Sequence, residues 1–150
     1  MTRLSVAFLL ALPFALALSA RQAACEVLIT EAEASVPAGT DAALPLRNVT
    51  RGPMVEQVTP DPTASVHSPL SLKIKFAGRN NATIDPASIK ATYLRKSPID
   101  LSERLRKHAA PDGIDMRDAE APPGTHVIRL EVKDNKGRTS TALIKLVVER

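Results

Sequence analysis

The feature that most constrains the fold is a period-two alternation of apolar and polar side chains that recurs between residues 54 and 150. Successive side chains of a β-strand point to opposite faces, so this alternation places the apolar groups of each segment on one face. The clearest segment alternates Leu70, Leu72, Ile74 and Phe76 with Ser71, Lys73 and Lys75. The same rule predicts strands at 89–93, 126–133 and 142–148, with shorter candidates at 54–59 and 114–117.

Turn-forming residues separate these segments, and the best hairpin joins the last two strands through Asp134-Asn135-Lys136-Gly137. Six or seven short strands, each with one apolar and one charged face, predict an all-β antiparallel sandwich. Residues 100–110 break the pattern. Leu101, Leu105 and Ala109 recur every four residues, and Asp100 with Glu103 fits a capping box, so we expect a short helical crossover between the sheets.

The end of the chain resembles a known family. Pro123 to Val132, followed by Asp134-Asn135-Lys136-Gly137-Arg138, is similar to the penultimate strand, turn and last strand of bacterial immunoglobulin-like and fibronectin type III-like modules. The run from Ile84 to Ile89 is similar to the entry into a middle strand of such modules. The resemblance implies an immunoglobulin-like sandwich of about seven strands, with a role in adhesion, spacing or accessory binding. It brings no catalytic residues with it.

One position departs from the family pattern, because His126 stands where relatives carry an aromatic residue at the start of the penultimate strand. His126 falls on the apolar phase of its strand, just after a glycine turn. We therefore interpret it as a structural corner, in which an imidazole nitrogen bonds a nearby backbone carbonyl, as a tyrosine hydroxyl does in relatives.

Residues 1–25 have the three parts of a secretory signal peptide: a positive start at Arg3, an apolar run from Leu4 to Ala20, and small residues up to Cys25. Cleavage after Ser19 and cleavage before Cys25 are both open. The second would resemble lipoprotein processing, in which the new terminal cysteine is lipidated. An unpaired thiol in an oxidising compartment needs an explanation, and either lipidation or removal of Cys25 supplies one.

Residues 26–53 predict a flexible linker. From Ala34 to Pro53 the composition is dominated by Ala, Ser, Pro, Gly, Thr and Asp, with few large apolar groups that could offset the entropy of ordering. We expect a tether here, followed by one sandwich domain at 54–150.

The sequence predicts no catalytic, cofactor-binding or metal-ligating residue. It has one cysteine and three scattered histidines, and no serine lies in a nucleophile elbow. Acidic residues do cluster at Asp112, Asp115, Asp118 and Glu120, where a solvated loop and a weak calcium site are the two interpretations. We therefore expect a protein that is not an enzyme and carries no cofactor.

The net charge of the chain limits the classes of partner that it can bind. Removing residues 1–25 takes away Arg3 and Arg21 and no acid, so the formal charge falls from +4 to +2. Such a balance does not favour nucleic acid. Cations are nevertheless dense at 90–107, and a surface formed by Arg95, Lys96, Arg104, Arg106 and Lys107 could contact an anionic polymer, lipid headgroups or an acidic partner.

Together these features predict an exported, non-catalytic immunoglobulin-like module in the periplasm or at the cell surface, with an envelope protein as its partner. It would touch the membrane only through a lipid anchor at Cys25. The alternative is an electrostatic binder of anionic envelope polymers or headgroups through the 90–107 surface.

Overall fold

A computed structural model describes residues 25–39 and 51–150. The predicted signal peptide up to residue 24 and residues 40–50 of the predicted linker lie outside this part. The described elements are, in chain order, β1 (Glu26–Val27), α1 (Glu31–Ser35), β2 (Met54–Thr59), β3 (Ser65–His67), β4 (Leu70–Ala77), a 3-10 turn (Pro86–Ser88), β5 (Lys90–Tyr93), β6 (Ile99–Asp100), α2 (Ser102–Arg106), β7 (Ala109–Ala110), β8 (Gly113–Glu120), β9 (Gly124–Lys133) and β10 (Thr139–Glu149).

The strands form two facing sheets. The first has the order β1-β8-β4-β2, with β7 also paired to β8, and the second has the order β3-β10-β9-β5-β6. Most neighbours are antiparallel, whereas β1 pairs β8 and β3 pairs β10 in parallel. The predicted all-β immunoglobulin-like sandwich is confirmed. The described strands outnumber the six or seven predicted, because β1, β3, β6 and β7 are too short to show any alternation.

The alternating side chains form the core as the pattern predicts. Along β4 every second residue is buried, and the inward positions of β9 and β10 meet them from the facing sheet. The largest buried side chains are Tyr93, Leu28, Ile29, Leu72, Ile74, Ile89, Leu101, Leu105, Ile114, Met116, Ile128 and Leu130. Two of them, Leu28 and Ile29, come from the segment predicted to be a linker.

The β9–β10 hairpin is the longest pairing, with ten residue pairs from Lys133↔Thr139 to Gly124↔Val148. Its turn is held by the Asp134 carboxylate, which accepts hydrogen bonds from the backbone N–H groups of Lys136 (3.0 Å) and Arg138 (2.9 Å). Gly137 has φ +75°, a conformation that glycine adopts without steric cost. The hairpin predicted from its turn residues is confirmed.

The helical crossover is confirmed, but it is shorter than residues 100–110. It leads from β6 in the second sheet to β7 in the first, and only Ser102–Arg106 is helical. The predicted capping box is wrong: Asp100 lies in β6, and its carboxylate accepts from the Ser102 backbone at 2.8 Å. Ala109 lies beyond the end of the helix. It belongs to β7 and pairs with Ile114 of β8.

Residues 25–39 form what we call the strap, which connects an edge of the first sheet to the β5–β6 connection of the second. Its β1 pairs with the edge of β8, and the N–H groups of Leu28 and Ile29 donate to the Glu120 carbonyl at 2.9 and 3.1 Å. At its other end, the Pro37 carbonyl accepts from Lys96 N–H at 2.8 Å, just after β5. The prediction of a linker beginning at Glu26 is therefore wrong for residues 26–39, because their apolar pair is buried in the core.

A local signal starts the strap helix. The Thr30 side chain accepts from Glu33 N–H at 3.2 Å, while the Glu33 carboxylate accepts from Thr30 N–H at 2.8 Å. This reciprocal capping box compensates for the short length of α1, which could not persist alone. No helix among the described residues is long and apolar enough to cross a membrane.

Candidate interaction surfaces

The predicted basic surface lies against the strap, and its central cation is paired. Arg104 binds Glu33 through two parallel hydrogen bonds, Nη1–Oε2 and Nη2–Oε1, each 2.8 Å long. Nη1 also donates to the Leu28 carbonyl at 2.9 Å. Mainly because of the hydrogen bonds from Arg104, the pKa of Glu33 falls to about 2.

A second acid of the strap meets the next two basic residues. The Glu26 carboxylate lies 3.1 Å from Lys107 Nζ and 2.6 Å from His108 Nε2. The hydrogen bond from His108, and then that from Lys107, lower the pKa of Glu26. Arg106 has a different partner within α2, since it contacts Glu103 at 2.6 Å.

Most of the charge predicted for the 90–107 surface is therefore balanced within the domain. Three of its five cations, Arg104, Arg106 and Lys107, lie next to carboxylates, and two of those carboxylates belong to the strap. Lys96 is exposed beside the strap, while Arg95 turns toward the sandwich interior. The density of cations along the sequence overstates the positive charge of this surface.

Arg95 completes a buried polar chain with Tyr93 and His126. Its guanidinium lies 4.5 Å from the Tyr93 ring centroid and donates to the Tyr93 hydroxyl. That hydroxyl lies 2.7 Å from His126 Nδ1, and His126 Nε2 lies 2.8 Å from the Pro122 carbonyl oxygen. The contact with Pro122 is of the kind that the corner interpretation of His126 requires.

These contacts define one set of proton positions. The Pro122 carbonyl can only accept, so Nε2 carries the hydrogen of a neutral His126 and Nδ1 accepts from the Tyr93 hydroxyl. A proton on Nδ1 would remove that acceptor and add a charge beside Arg95. Burial first, and then Arg95, lower the pKa of His126, although the Pro122 carbonyl opposes them. Burial raises the pKa of Tyr93.

Two other buried polar side chains also serve the fold. Burial alone would raise the pKa of Asp134, but hydrogen bonds from the backbone and guanidinium of Arg138 and the backbone of Lys136 outweigh it, so the pKa falls. The Ser102 hydroxyl accepts from Ala91 N–H at 3.0 Å and donates to Asp100. These side chains connect strands and turns.

The acidic cluster at 112–120 is not the solvated loop that was one of its two interpretations. Asp115 and Asp118 lie within β8, and Asp115 faces Arg117 at 3.7 Å. Among the residues that the structure describes, no three His, Cys, Asp or Glu side chains come together as metal ligands.

Cys25 is exposed at the start of the strap. Partial desolvation, a hydrogen bond with Glu120 and the nearby Asp118 carboxylate raise the pKa of its thiol. Because Glu26 already pairs with β8, no tether separates Cys25 from the folded domain.

Next to the strap, an open groove of about 440 Å³ runs along one end of the sandwich. Its walls are mainly apolar, and Val27 on the strap is 40% exposed. Its polar lining includes Glu31 and Glu120. The lining residues are Val27, Ile29, Thr30, Glu31, Ser68, Glu120, Ala121, Pro122 and Pro123.

No protein-family model and no curated protein matches the chain. Among solved structures, the chain is similar to the fibronectin(III)-like modules of Clostridium thermocellum CbhA, with 19% identity over 65% of this chain and 100% of that one, and a TM-score of 0.35. The sheet order and strand register described above carry the fold assignment. This chain folds as an immunoglobulin-like or fibronectin type III-like β-sandwich. A shared fold leaves the function open.

The groove beside the strap could not be predicted from the sequence. Pro122 and Pro123 indicate only a turn, and Val27 belongs to the segment predicted to be a linker. The adjacent apolar pair Leu28-Ile29 was the available signal, because two large aliphatic side chains are unusual in a solvated tether.

Proposed function

We propose that this chain is an exported, non-catalytic module that binds another envelope protein. The use of its buried polar groups supports this proposal: His126 bonds Pro122 and Tyr93, Asp134 holds the hairpin turn, and Ser102 connects α2 to β5. Side chains of the types that act as bases, acids and nucleophiles are thus engaged in folding contacts.

The groove beside the strap is the observation that carries the proposal. Its lining is mainly apolar but includes polar side chains, a mixture that suits a protein–protein contact. Burying exposed apolar surface such as that of Val27 favours association by about 25 cal/mol per Å² before the cost of association is subtracted.

The acidic side chains that line the groove indicate which charge the partner should carry. Glu31 is exposed and Glu120 half-buried, and both line the groove. An extended protein segment with an apolar side chain flanked by a lysine or arginine would complement this surface, because its cation would meet the two carboxylates.

The proposal includes export, for which the 1–25 signal is the basis. A chain cut before Cys25 and lipidated there would hold the strap and its groove directly at the membrane surface, since β1 starts at the next residue. Cleavage after Ser19 would instead leave the five residues 20–24 before the strap. Intact mass of the exported protein distinguishes the two, because lipidation adds a large mass.

Binding of anionic polymers or headgroups through Arg95, Lys96, Arg104, Arg106 and Lys107 is the less favoured alternative. Glu26, Glu33 and Glu103 already compensate three of these cations. A polymer would have to compete with the ion pairs that hold the strap.

Site-specific photocrosslinking in the cell envelope tests the groove. A benzophenone side chain at position 27 reports on the groove, and one at position 54 is the matched control, because Met54 on β2 is exposed to a similar extent (51%) and does not line the groove. We expect a crosslinked protein from position 27 and none from position 54. Glu31→Lys should weaken that crosslink, whereas Glu56→Lys, an equal charge change on β2, should leave it unchanged.

Equal crosslinking from positions 27 and 54, or insensitivity to Glu31→Lys, would contradict docking in the groove. If loss of binding followed salt steeply and required Lys96, the polymer alternative would replace it. Turnover of a substrate that vanished on truncation of one polar side chain would overturn the non-catalytic assignment.

A further inference from the structure

The end of the sandwich opposite the groove carries a second charged surface. β9 connects the two ends: its first residue follows Pro123 of the groove, and its last is Lys133, about 30 Å away at 3.3 Å per residue. We call Arg79, Lys133, Lys136 and Arg138 the turn-end surface. These residues come from the loop after β4, the last position of β9 and the β9–β10 turn.

Backbone hydrogen bonds bring the two loops together. Asn135 N–H donates to the Thr83 carbonyl at 2.9 Å, and Thr83 N–H donates back to Asn135 Oδ1 at 3.3 Å. Lys136 Nζ then lies 2.6 Å from the Asn80 carbonyl. Arg138 Nη2 makes the corresponding contact with the Arg79 carbonyl at 2.8 Å. Cations that are distant in the sequence thus share one small surface.

This charge is less balanced than that of the 90–107 surface. The side chain of Asp134 is fully buried and is already bonded to Arg138. Asp85 accepts from Ala87 N–H and caps the 3-10 turn. Arg79 and Lys133 are exposed, and neither side chain has an ion pair among the described residues. The next carboxylate along β9, Glu131, is in register with Lys90.

The surroundings narrow the class of ligand. The two aromatic side chains of the described part, Phe76 and Tyr93, are buried, so this surface has no ring on which a nucleic-acid base could stack. Instead, Asn80, Asn81 and Asn135 are exposed there. Their amides offer donors and acceptors that match sugar hydroxyls.

We propose that the turn-end surface binds an anionic polysaccharide. The cations contact its charged substituents, and the three asparagine amides contact its hydroxyl groups. The loops are joined by backbone hydrogen bonds before any ligand arrives, which lowers the ordering cost of binding. The inference is independent of the groove, because it concerns other residues at the other end of the domain.

Binding of the full protein to dextran sulfate, with neutral dextran of equal length as reference, tests the proposal at 50 and 200 mM salt. The double substitution Arg79→Gln, Lys133→Gln removes two turn-end charges without touching the contacts that hold the loops. The matched control, Lys90→Gln, Lys96→Gln, makes the same net charge change on the 90–107 surface.

We expect the turn-end variant to bind dextran sulfate at least about fivefold more weakly and the control to bind as the parent does. The slope of log K against log[salt] should become shallower by about 1.5, for two lost charge contacts at 0.7–0.9 each. Neutral dextran should not bind. Both variants should keep the parent melting temperature, which shows that the loss does not come from unfolding.

Five results would overturn the proposal: no binding to dextran sulfate, equal losses in the two variants, loss confined to the Lys90, Lys96 variant, equal binding of neutral dextran, or tighter binding to phosphatidylglycerol vesicles than to the polymer. Equal losses would mean attraction by net charge alone. Preference for vesicles would assign the surface to lipid headgroups. Loss confined to the Lys90, Lys96 variant would move the anion site to the 90–107 surface.

Discussion

The strap and the β9–β10 hairpin belong to the same sandwich, but the hairpin is held by contacts between residues close in the sequence and the strap by contacts between distant ones. The hairpin has ten residue pairs, and only the five residues 134–138 connect its strands, so its contacts are close along the chain. The strap pairs two residues with β8, and its ion pairs join Glu33 to Arg104 and Glu26 to Lys107. An element can therefore be well packed although its own sequence shows almost no pattern that predicts its structure.

Cooperativity should separate the two regions further. β9 lies between two other strands at the centre of its sheet, so opening it requires loss of the whole core. The strap lies at an edge and can leave while the other strands stay paired. We expect global unfolding to determine protection of the hairpin, and local opening to determine protection of the strap.

Leu130→Ala tests the hairpin and should have the largest effect. Leu130 is fully buried in β9, and its truncation leaves a cavity between the sheets. The free energy of unfolding should fall by about 3 kcal/mol or more, within the usual 2–5 kcal/mol for this change. Chemical denaturation measures it. A loss below 1 kcal/mol would contradict the central position of β9.

Leu28→Ala makes the same chemical change in the strap, where Leu28 is also fully buried. Here we expect a smaller loss, about 2 kcal/mol, because the strap can open locally. Hydrogen exchange should accelerate at residues 28 and 29 and stay unchanged in β9. Acceleration spread evenly over both regions would mean that the strap and the sandwich unfold as one unit.

Glu33→Gln tests how the strap's contribution to the free energy of unfolding depends on pH. The pKa of Glu33 is lowered from 4.5 to about 2 in the folded state, so its contribution is complete above pH 4.5 and is lost as pH falls toward 2. Glutamine keeps the capping box but removes the charge, which should cost about 1–2 kcal/mol at pH 7 and much less at pH 2, where the Glu33 carboxyl is already partly protonated. Denaturation across this range measures the difference. Glu31→Gln, on the exposed side of the same helix, is the control and should change little.

His126, in β9 of the hairpin, should make the stability depend on pH over a different range. Burial lowers its folded pKa below the ordinary 6.5, so the unfolded chain takes up the proton first as pH falls. Stability is therefore complete above pH 6.5 and declines below it, by at most about 1.4 kcal/mol per pH unit. His126→Gln should remove this decline, whereas His67→Gln, at an exposed position, should retain it. A decline that persisted in His126→Gln would assign it to another group.

The sequence predicted the long strands because their alternation is local. β4, β9 and β10 follow the period of two, and the apolar phase is the buried one. The corner interpretation of His126 and the helical crossover could also be drawn from the sequence. A glycine turn precedes His126, and apolar side chains recur every four residues in the crossover. The capping box at Asp100 was wrong because Ser102 offered the carboxylate a closer partner.

The surfaces were harder to predict, because charge density along the chain differs from charge density in space. The cations at 95–107 are close in sequence, but the strap brings Glu33 and Glu26 to them from about 70–80 residues away. Arg79 and Lys133 are far apart in the sequence, and pairing of Thr83 with Asn135 puts their loops side by side. Only the fold shows which charges meet.

The central claim is that residues 25–39 belong to the folded domain and join its two sheets. Amide exchange resolved by NMR on the parent protein tests it most directly. We predict that the amides of Leu28 and Ile29, bonded to Glu120, and of Lys96, bonded to Pro37, exchange at least about 100-fold more slowly than in a free peptide. Exchange of all three at free-peptide rates, with β9 and β10 still protected, would contradict the claim and restore a tether before the sandwich.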